Sequence, residues 1–543
     1  MTPPTVIVLG GGVAGMTAAH ELAERGFGVR VYELRDIPGG KARSIPVRGS
    51  GVGGRADLPG EHGFRFFPGF YQHVPDTMRR IPNRGRPGSV FDHLVPTTRA
   101  AFVREGQLPI VIPDIFPRSL RDVLSAVLLA FGDRTGLSFA EVAHFAARIA
   151  VLVGSCDERR INEWENVDWW DFVGAGGRSA AFQAFLADGI TRRTVAAKAD
   201  AASTRTIGYI FVALMRSLTV PGGQLDRLLD GPTSSVWISP WLDHLVDRGV
   251  DYHLSAAVCA IRCQSGRIAG VEISEGGRKT TETADYYVSA LPVEIMRDLV
   301  TPEMVAVEPV LGEIHRLQVS WMNGIQFYLA RDVPIVHGHV TYTDAPFALT
   351  SISQRQFWPD VDFADIGDGT VKGILSVDIS DWETPGVVYH RPANELSPSE
   401  IKDEVWAQLK THLNQHGQER LRDTDLLSWF LDPDIVGPND GRQDINLEPL
   451  LVNTAGSWAW RPEAETRITN LFLASDYVRT NTDLATMEGA NEAARRAVNG
   501  IIRASGYGGG ECAIWPLPQL PGFGPLRVLD GVRYRLGLRN LPP

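Results

Sequence analysis

Between Thr5 and Glu33 the chain reads as strand, glycine turn, helix and strand, and few folds accept that order in so short a span. Thr5-Val6-Ile7-Val8-Leu9 is a run of β-formers, and Gly10-Gly11-Gly12-Val13-Ala14-Gly15 follows at once. Helix formers continue from Ala14 to Arg25, where Gly26 stops them. Val29-Arg30-Val31-Tyr32-Glu33 is a second strand that ends on an acid. Gly10, Gly12 and Gly15 match G-x-G-x-x-G in the context that gives the motif meaning. Gly10 allows the tight turn, Gly12 lets a pyrophosphate approach the backbone, and Gly15 lets helix and strand pack closely. Val13 and Ala14 open the helix, whose N-terminal N–H groups face phosphate charge. Glu33 is placed to accept hydrogen bonds from a ribose, with Leu34 beside it. The spacing predicts a dinucleotide site in a Rossmann-type α/β domain.

Past Glu33 the chain runs Leu34-Arg35-Asp36-Ile37-Pro38-Gly39-Gly40-Lys41-Ala42-Arg43. Here it resembles the flavoprotein group of amine oxidases and carotenoid desaturases, whose second strand ends in an acid followed by Gly-Gly-(Arg/Lys). The resemblance implies FAD rather than NAD. It also implies further cofactor contacts from Gly40, Lys41, Ala42 and Arg43 at the pyrophosphate.

Two more stretches carry the likeness. Glu61-His62-Gly63-Phe64-Arg65-Phe66-Phe67-Pro68-Gly69-Phe70-Tyr71 resembles the E-x-G-x-H-x-F-F-x-x-Y of phytoene and ζ-carotene desaturases, with Arg65 at the family's His. The resemblance implies that Gly63, Phe64, Arg65 and Phe66 lie against the flavin, with Phe67 and Tyr71 in the substrate pocket. Arg65 is then the candidate catalytic residue, orienting substrate or stabilising charge; an ion pair with Glu61 is its structural alternative. Near the other end, Leu471-Phe472-Leu473-Ala474-Ser475-Asp476-Tyr477 and Leu484-Ala485-Thr486-Met487-Glu488-Gly489-Ala490 resemble the second flavin motif of the desaturases. Asp476 can hold a ribityl hydroxyl, and Thr486, Met487, Glu488 and Ala490 start a helix whose dipole faces the reduced flavin's charge. The resemblance also implies a backbone contact from Val258 to the adenine, and Ala290 is a further expected cofactor contact.

At 543 residues the chain exceeds one compact core, so at least two domains are expected. The expected division is a discontinuous FAD-binding domain (1–85, 220–300, 455–505), an inserted α+β substrate domain and a C-terminal tail (506–543). The substrate domain takes a helical, apolar part from 86–219 and a sheet with helices from 301–454. Within it, helices are expected at Ser119–Phe131 and Phe139–Ser155, and later at Ser399–Gln415 and Glu419–Leu427. Pro221-Gly222-Gly223 is the expected turn back to the nucleotide domain, and Ile268–Ile273 is expected to form a hairpin with Asp285–Leu291.

A net charge of −11 argues against nucleic acid as a partner. Cys156, Cys259, Cys263 and Cys512 are scattered and read as reduced thiols of a cytoplasmic protein. None adjoins Trp458–Trp460 or Met487, where related oxidases attach FAD through sulfur, so non-covalent FAD is expected. His337 and His339 share a strand face without a third ligand, and no metal is expected. No signal peptide or spanning segment is apparent. A soluble protein, peripheral to a membrane at most, is the expectation.

Three functions compete. One is dehydrogenation or isomerisation of a C–C bond in a lipophilic, isoprenoid- or carotenoid-like substrate, with O2 or a quinone as possible electron acceptors. The second is oxidation of an amine or amino acid. Amine oxidases usually have an aromatic before M-E-G; this chain has Thr486, though Trp458 and Trp460 can supply a different pocket wall. Lys198 is a candidate for the flavin-proximal Lys of those oxidases. The third is a binding protein in which flavin is structural.

Overall fold

The computed structural model describes residues 3–85, 87–113, 135–189, 191, 197–217, 220, 223–436 and 445–540. Thr5–Leu9 lies at the centre of a five-stranded sheet, flanked by Tyr286–Ser289 on one side and Gly28–Tyr32 on the other. Leu471–Leu473 and Asp251–His253 form its edges, and every pairing in it is parallel. Parallel strands need both faces covered, which suits the continuous apolar run Val6–Leu9, all of it buried. The helix Val13–Glu24 crosses over the sheet and packs on Met487–Ser505, so the two ends of the chain share one core. Gly15 is required by that packing: a Cβ there would meet the Gly10 carbonyl oxygen at 1.9 Å.

The expected hairpin between Ile268–Ile273 and Asp285–Leu291 does not form. Arg267–Glu275 instead pairs with Ala256–Gln264 and with Arg278–Glu282, while Tyr286–Ser289 joins the parallel sheet. Arg-Lys-Thr-Thr-Glu carries no apolar stripe to announce a strand, yet it suits a solvated sheet edge.

A second, mixed sheet has seven strands. Their order is Leu426–Leu431, Asn323–Leu329, Gly373–Ile379, Thr350–Ser353, Val340–Tyr342, Arg99–Val103 and Ile110–Pro113. Its two central strands, Asn323–Leu329 and Gly373–Ile379, are buried throughout. The helix Pro398–Leu413 covers it, opened by a Ser397–Glu400 capping box. Two expectations fail here. The stretch 86–219 is not simply helical, because Arg99–Val103 and Ile110–Pro113 complete this sheet. Glu419–Leu427 is not a helix, because Leu426–Leu431 pairs with Asn323–Leu329 after one short turn at Asp423–Asp425. In both cases sheet pairing overrides a local helical pattern.

The helix Phe139–Gly154 begins at a Ser138–Glu141 capping box and is followed by the short helices Asp157–Asn162 and Trp169–Val173. The expected helix Ser119–Phe131 lies outside the described residues, as do Pro221 and Gly222 of the expected turn.

Candidate active site

The two glycine turns meet. Gly12 and Gly39 pair in an isolated parallel bridge, and a Cβ on Gly12 would find nothing nearer than the Gly40 Cα, at 3.7 Å. No side chain caps the helix Val13–Glu24. A Cβ on Gly40 would meet the Gly12 Cα at 3.0 Å, so the two turns pack closely, backbone on backbone, beside an uncapped helix N-terminus, which suits a pyrophosphate. Ala290 closes the floor: its N–H donates to the Leu9 carbonyl at 2.8 Å, and its own carbonyl abuts Gly10. Glu33 is buried at the next strand end and accepts from Gly11 N–H at 2.6 Å and Arg35 N–H at 2.9 Å. Burial raises its pKa against the pull of those two bonds. Val258 lies at a bulge of Ala256–Gln264, half-buried, close along the chain to where Ala256 N–H meets the Glu33 carbonyl. Leu34 turns its side chain to solvent.

The cations expected at the pyrophosphate are otherwise engaged. Arg43 is buried, bonded to Asp434 at 2.6 Å and to both Glu448 oxygens at 2.9 Å. Arg35 joins the same two acids, and Lys41 bonds Glu294 at 3.0 Å and the Pro449 carbonyl. Lys41 thus braces the fold against an acid 253 residues away and Arg43 against acids 391 and 405 residues away; Ala42 is buried between them. Nothing near Arg43 in sequence announces Asp434 or Glu448.

At the flavin end, Thr486 caps the helix Met487–Ser505, its Oγ1 accepting from Gly489 N–H at 3.2 Å. Met487 and Ala490 are half-buried on one helix face. Glu488 is a correction. Its carboxylate accepts from the N–H groups of Gln72 (2.6 Å), His73 (2.7 Å) and Val74 (2.9 Å) and lies 2.8 Å from His73 Nδ1. It caps the helix His73–Arg80, so its side chain is turned to that helix. Asp476 follows the strand Leu471–Leu473 and stays half-buried, close enough to Glu294 to help raise that residue's pKa.

Beyond this lies a buried polar centre. Arg65 donates to the Gly63 carbonyl at 2.9 Å and to the Lys41 carbonyl, tying the 61–71 stretch to the second glycine turn. Desolvation lowers its pKa, while the charges of Glu61 and Asp378 oppose that shift. Glu61 accepts from Ser44 Oγ at 2.7 Å and Thr233 N–H at 3.1 Å, and burial raises its pKa. Asp378 accepts from Phe64 N–H at 3.2 Å, and burial pushes its carboxyl up to about 7. The Arg65 charge thus acts on two buried acids, of which Asp378 keeps its proton up to about 7. Glu61 Oε2 and Arg65 Nε have no hydrogen-bond partner. Polar atoms left open in this way fit a polar ring edge brought by a cofactor. Gly63 is essential here, since a Cβ would meet Asp378 Oδ1 at 2.7 Å. Sequence reasoning finds Arg65 but misses Asp378, which sits mid-strand and reaches Gly63 only through the mixed sheet.

Asp378 gives a first expected result. Its folded pKa lies above the ordinary carboxylate value, so the native state keeps a proton that the unfolded chain has already lost. Its stabilisation is full below pH ~4 and is lost as pH rises through about 7. Asp378→Asn should therefore remove up to roughly 4 kcal/mol of that decline. Denaturant titrations of both proteins from acid to neutral pH check this; parallel curves refute it.

The expected pocket residues divide. Phe64, Phe66 and His339 form an aromatic cluster, with His339 rings 5.2 and 5.0 Å from the two phenylalanines. His339 Nδ1 lies 2.9 Å from Asp226. Phe67 is wholly buried against Trp237, a core residue rather than a pocket wall. Tyr71 is buried and bonds Thr486. Trp458 carries the Arg205 guanidinium 3.9 Å from its ring centre, with Arg479 and Arg461 at 5.2 and 5.5 Å. Arg316 lies 4.6 Å from the ring centre of Trp460. Below Trp458, buried Glu165 accepts from Trp458 N–H at 3.0 Å, and burial with the Asp483 charge raises its pKa. Lys198 is about half exposed and paired with Glu383.

Among the described residues, His20, Glu24 and His244 lie close enough to share an ion. The indole N–H of Trp241 donates to His20 Nδ1 at 3.1 Å, so neutral His20 keeps its proton on Nε2 and gives it to Glu24 at 3.0 Å. That chain leaves His20 no lone pair for a metal.

A parallel nucleotide sheet, converging glycine turns and a capped helix at the far end define a dinucleotide-dependent flavoprotein oxidoreductase. The family model "Flavin containing amine oxidoreductase" matches residues 13–502, and the chain belongs to that family. It is 24% identical to a ζ-carotene desaturase of Capsicum annuum, over 91% of this chain and 80% of the relative. It is 25% identical to a 15-cis-phytoene desaturase of Synechococcus elongatus, over 92% and 95%. Among solved structures, putrescine oxidase matches with a TM-score of 0.60 at 14% identity, over 92% of this chain and 99% of that one. Cyclohexylamine oxidase from Brevibacterium oxydans matches at 0.59 and 14%, over 93% and 100%. The fold is thus the Rossmann-type α/β flavoprotein fold with an inserted α+β part, the cofactor is FAD and the protein is an enzyme. The four cysteines are free, and none lies next to Trp458 or Met487 in the chain.

Proposed function

We propose that this oxidoreductase dehydrogenates or isomerises a C–C bond in a lipophilic, isoprenoid-like substrate. The observation that carries the reading is the covering of Trp458 and Trp460. An amine cage needs open aromatic faces, and here arginine guanidiniums already stand over both rings. The near full-length likeness to carotenoid desaturases supports the same reading.

FAD, when bound, supplies the two-electron acceptor. The protein supplies the rest. Phe66 and His339, packed edge to face over buried Phe64, offer an aromatic surface to a polyene. Removing hydrogen from two adjacent carbons also releases a proton, and the Glu61–Arg65–Asp378 set is built to hold one near neutral pH.

Anaerobic titration of the FAD-loaded enzyme tests this directly. Polyenes and isoprenoids should bleach the flavin absorbance while amines leave it unchanged. Bleaching by amines alone would overturn the proposal in favour of amine oxidation.

A further inference from the structure

The helix Gly524–Arg535 is packed the wrong way round for a soluble domain. Arg527, Asp530, Gly531 and Tyr534 face the protein, with Asp530 bonded to Arg159 at 3.0 Å and to Cys156 N–H at 2.9 Å. Pro525, Leu529, Val532 and Leu536, at helical spacing, face outward. Val528 is 72% exposed and Leu536 69%. An outward stripe of that kind costs solvation unless something covers it. Arg533 and Arg535 border the stripe, and Arg539 follows it. From Gly524 to Arg539 the only acid is Asp530, which is buried. This cationic, apolar face sits on a chain whose net charge is −11. Beside it opens a cleft of about 860 Å³, walled by Trp515, Leu517, Val528 and Val532. Behind it lie the C-terminal end of the helix Phe139–Gly154 and the helix Asp157–Asn162.

We propose that this helix is a membrane-docking element whose apolar face enters an anionic lipid surface while Arg533, Arg535 and Arg539 reach the headgroups. An apolar stripe bordered by arginines suits an interface between hydrocarbon and anionic headgroups. A second copy of the chain would bring the same arginines against each other, which charge opposes. Among the described residues no single helix is long and apolar enough to cross a bilayer. The proposal rests on the lipophilic-substrate reading for its purpose, because such a substrate is stored in lipid.

The test is co-sedimentation of the FAD-loaded protein with phosphatidylcholine vesicles, with and without phosphatidylglycerol. Binding should require phosphatidylglycerol and weaken as salt rises. Arg533→Gln with Arg535→Gln should weaken it by about fivefold per arginine. Leu529→Asp with Leu536→Asp should abolish it without altering the flavin spectrum. Failure of the wild type to bind, or equal binding by the aspartate variant, overturns the proposal. So does a wild-type dimer that the aspartate pair dissociates, which would make a second copy the occupant. Polyene bleaching measured in detergent separates the two readings: intact bleaching without vesicle binding removes only the docking surface.

Discussion

Glu488→Ala is expected to destabilise the FAD-loaded protein by about 3–5 kcal/mol, the range for breaking a buried, fully bonded charge. The carboxylate terminates the helix His73–Arg80 by taking three of its free N–H groups and facing the His73 ring. Alanine leaves those donors buried with no solvent to replace the lost acceptor. Glu488→Gln keeps one acceptor oxygen but sets an NH2 donor against a backbone N–H, so it should fall between the two. The measurement is the temperature at which flavin fluorescence is released, followed by denaturant titration. An alanine variant that melts with the wild type would return Glu488 to the cofactor side.

Gly15→Val should remove FAD from the protein. Its Cβ would lie 1.9 Å from the Gly10 carbonyl oxygen and 2.9 Å from the carbonyl carbon, both backbone atoms of the phosphate turn. The turn must open to admit it, and overpacking of this kind costs about 1–3 kcal/mol. At the upper end, FAD affinity falls roughly 100-fold, and the purified protein is colourless. Gly509→Val is the control, because a Cβ there meets nothing within 4 Å. Wild-type FAD affinity in the Gly15 variant would sink the assignment of this turn.

The motif ends of the site were legible because their signals are local. Gly10, Gly12, Gly15 and Glu33 act through backbone geometry within thirty residues, and Thr486 announces a helix cap three residues before Gly489. Side-chain partnerships were not legible. The cation pattern at Lys41 and Arg43 suits phosphate until Glu294, Asp434 and Glu448 are seen to occupy it. Phe67 and Phe66 are identical residues side by side in sequence, and only packing against Trp237 puts one of them in the core.

The sequence by itself determined the nucleotide fold and the cofactor class. Each rests on short-range rules: strand and helix periods, glycine where a Cβ cannot fit, and a cap at a helix start. Tertiary structure decided what the polar side chains do. It set Asp378 of the mixed sheet against Gly63 and Arg65, laid arginines over Trp458 and Trp460, and turned Glu488 toward a neighbouring helix. Such contacts join residues up to several hundred positions apart. Charge and hydrogen bonding depend on distance and burial in space, which no local pattern records.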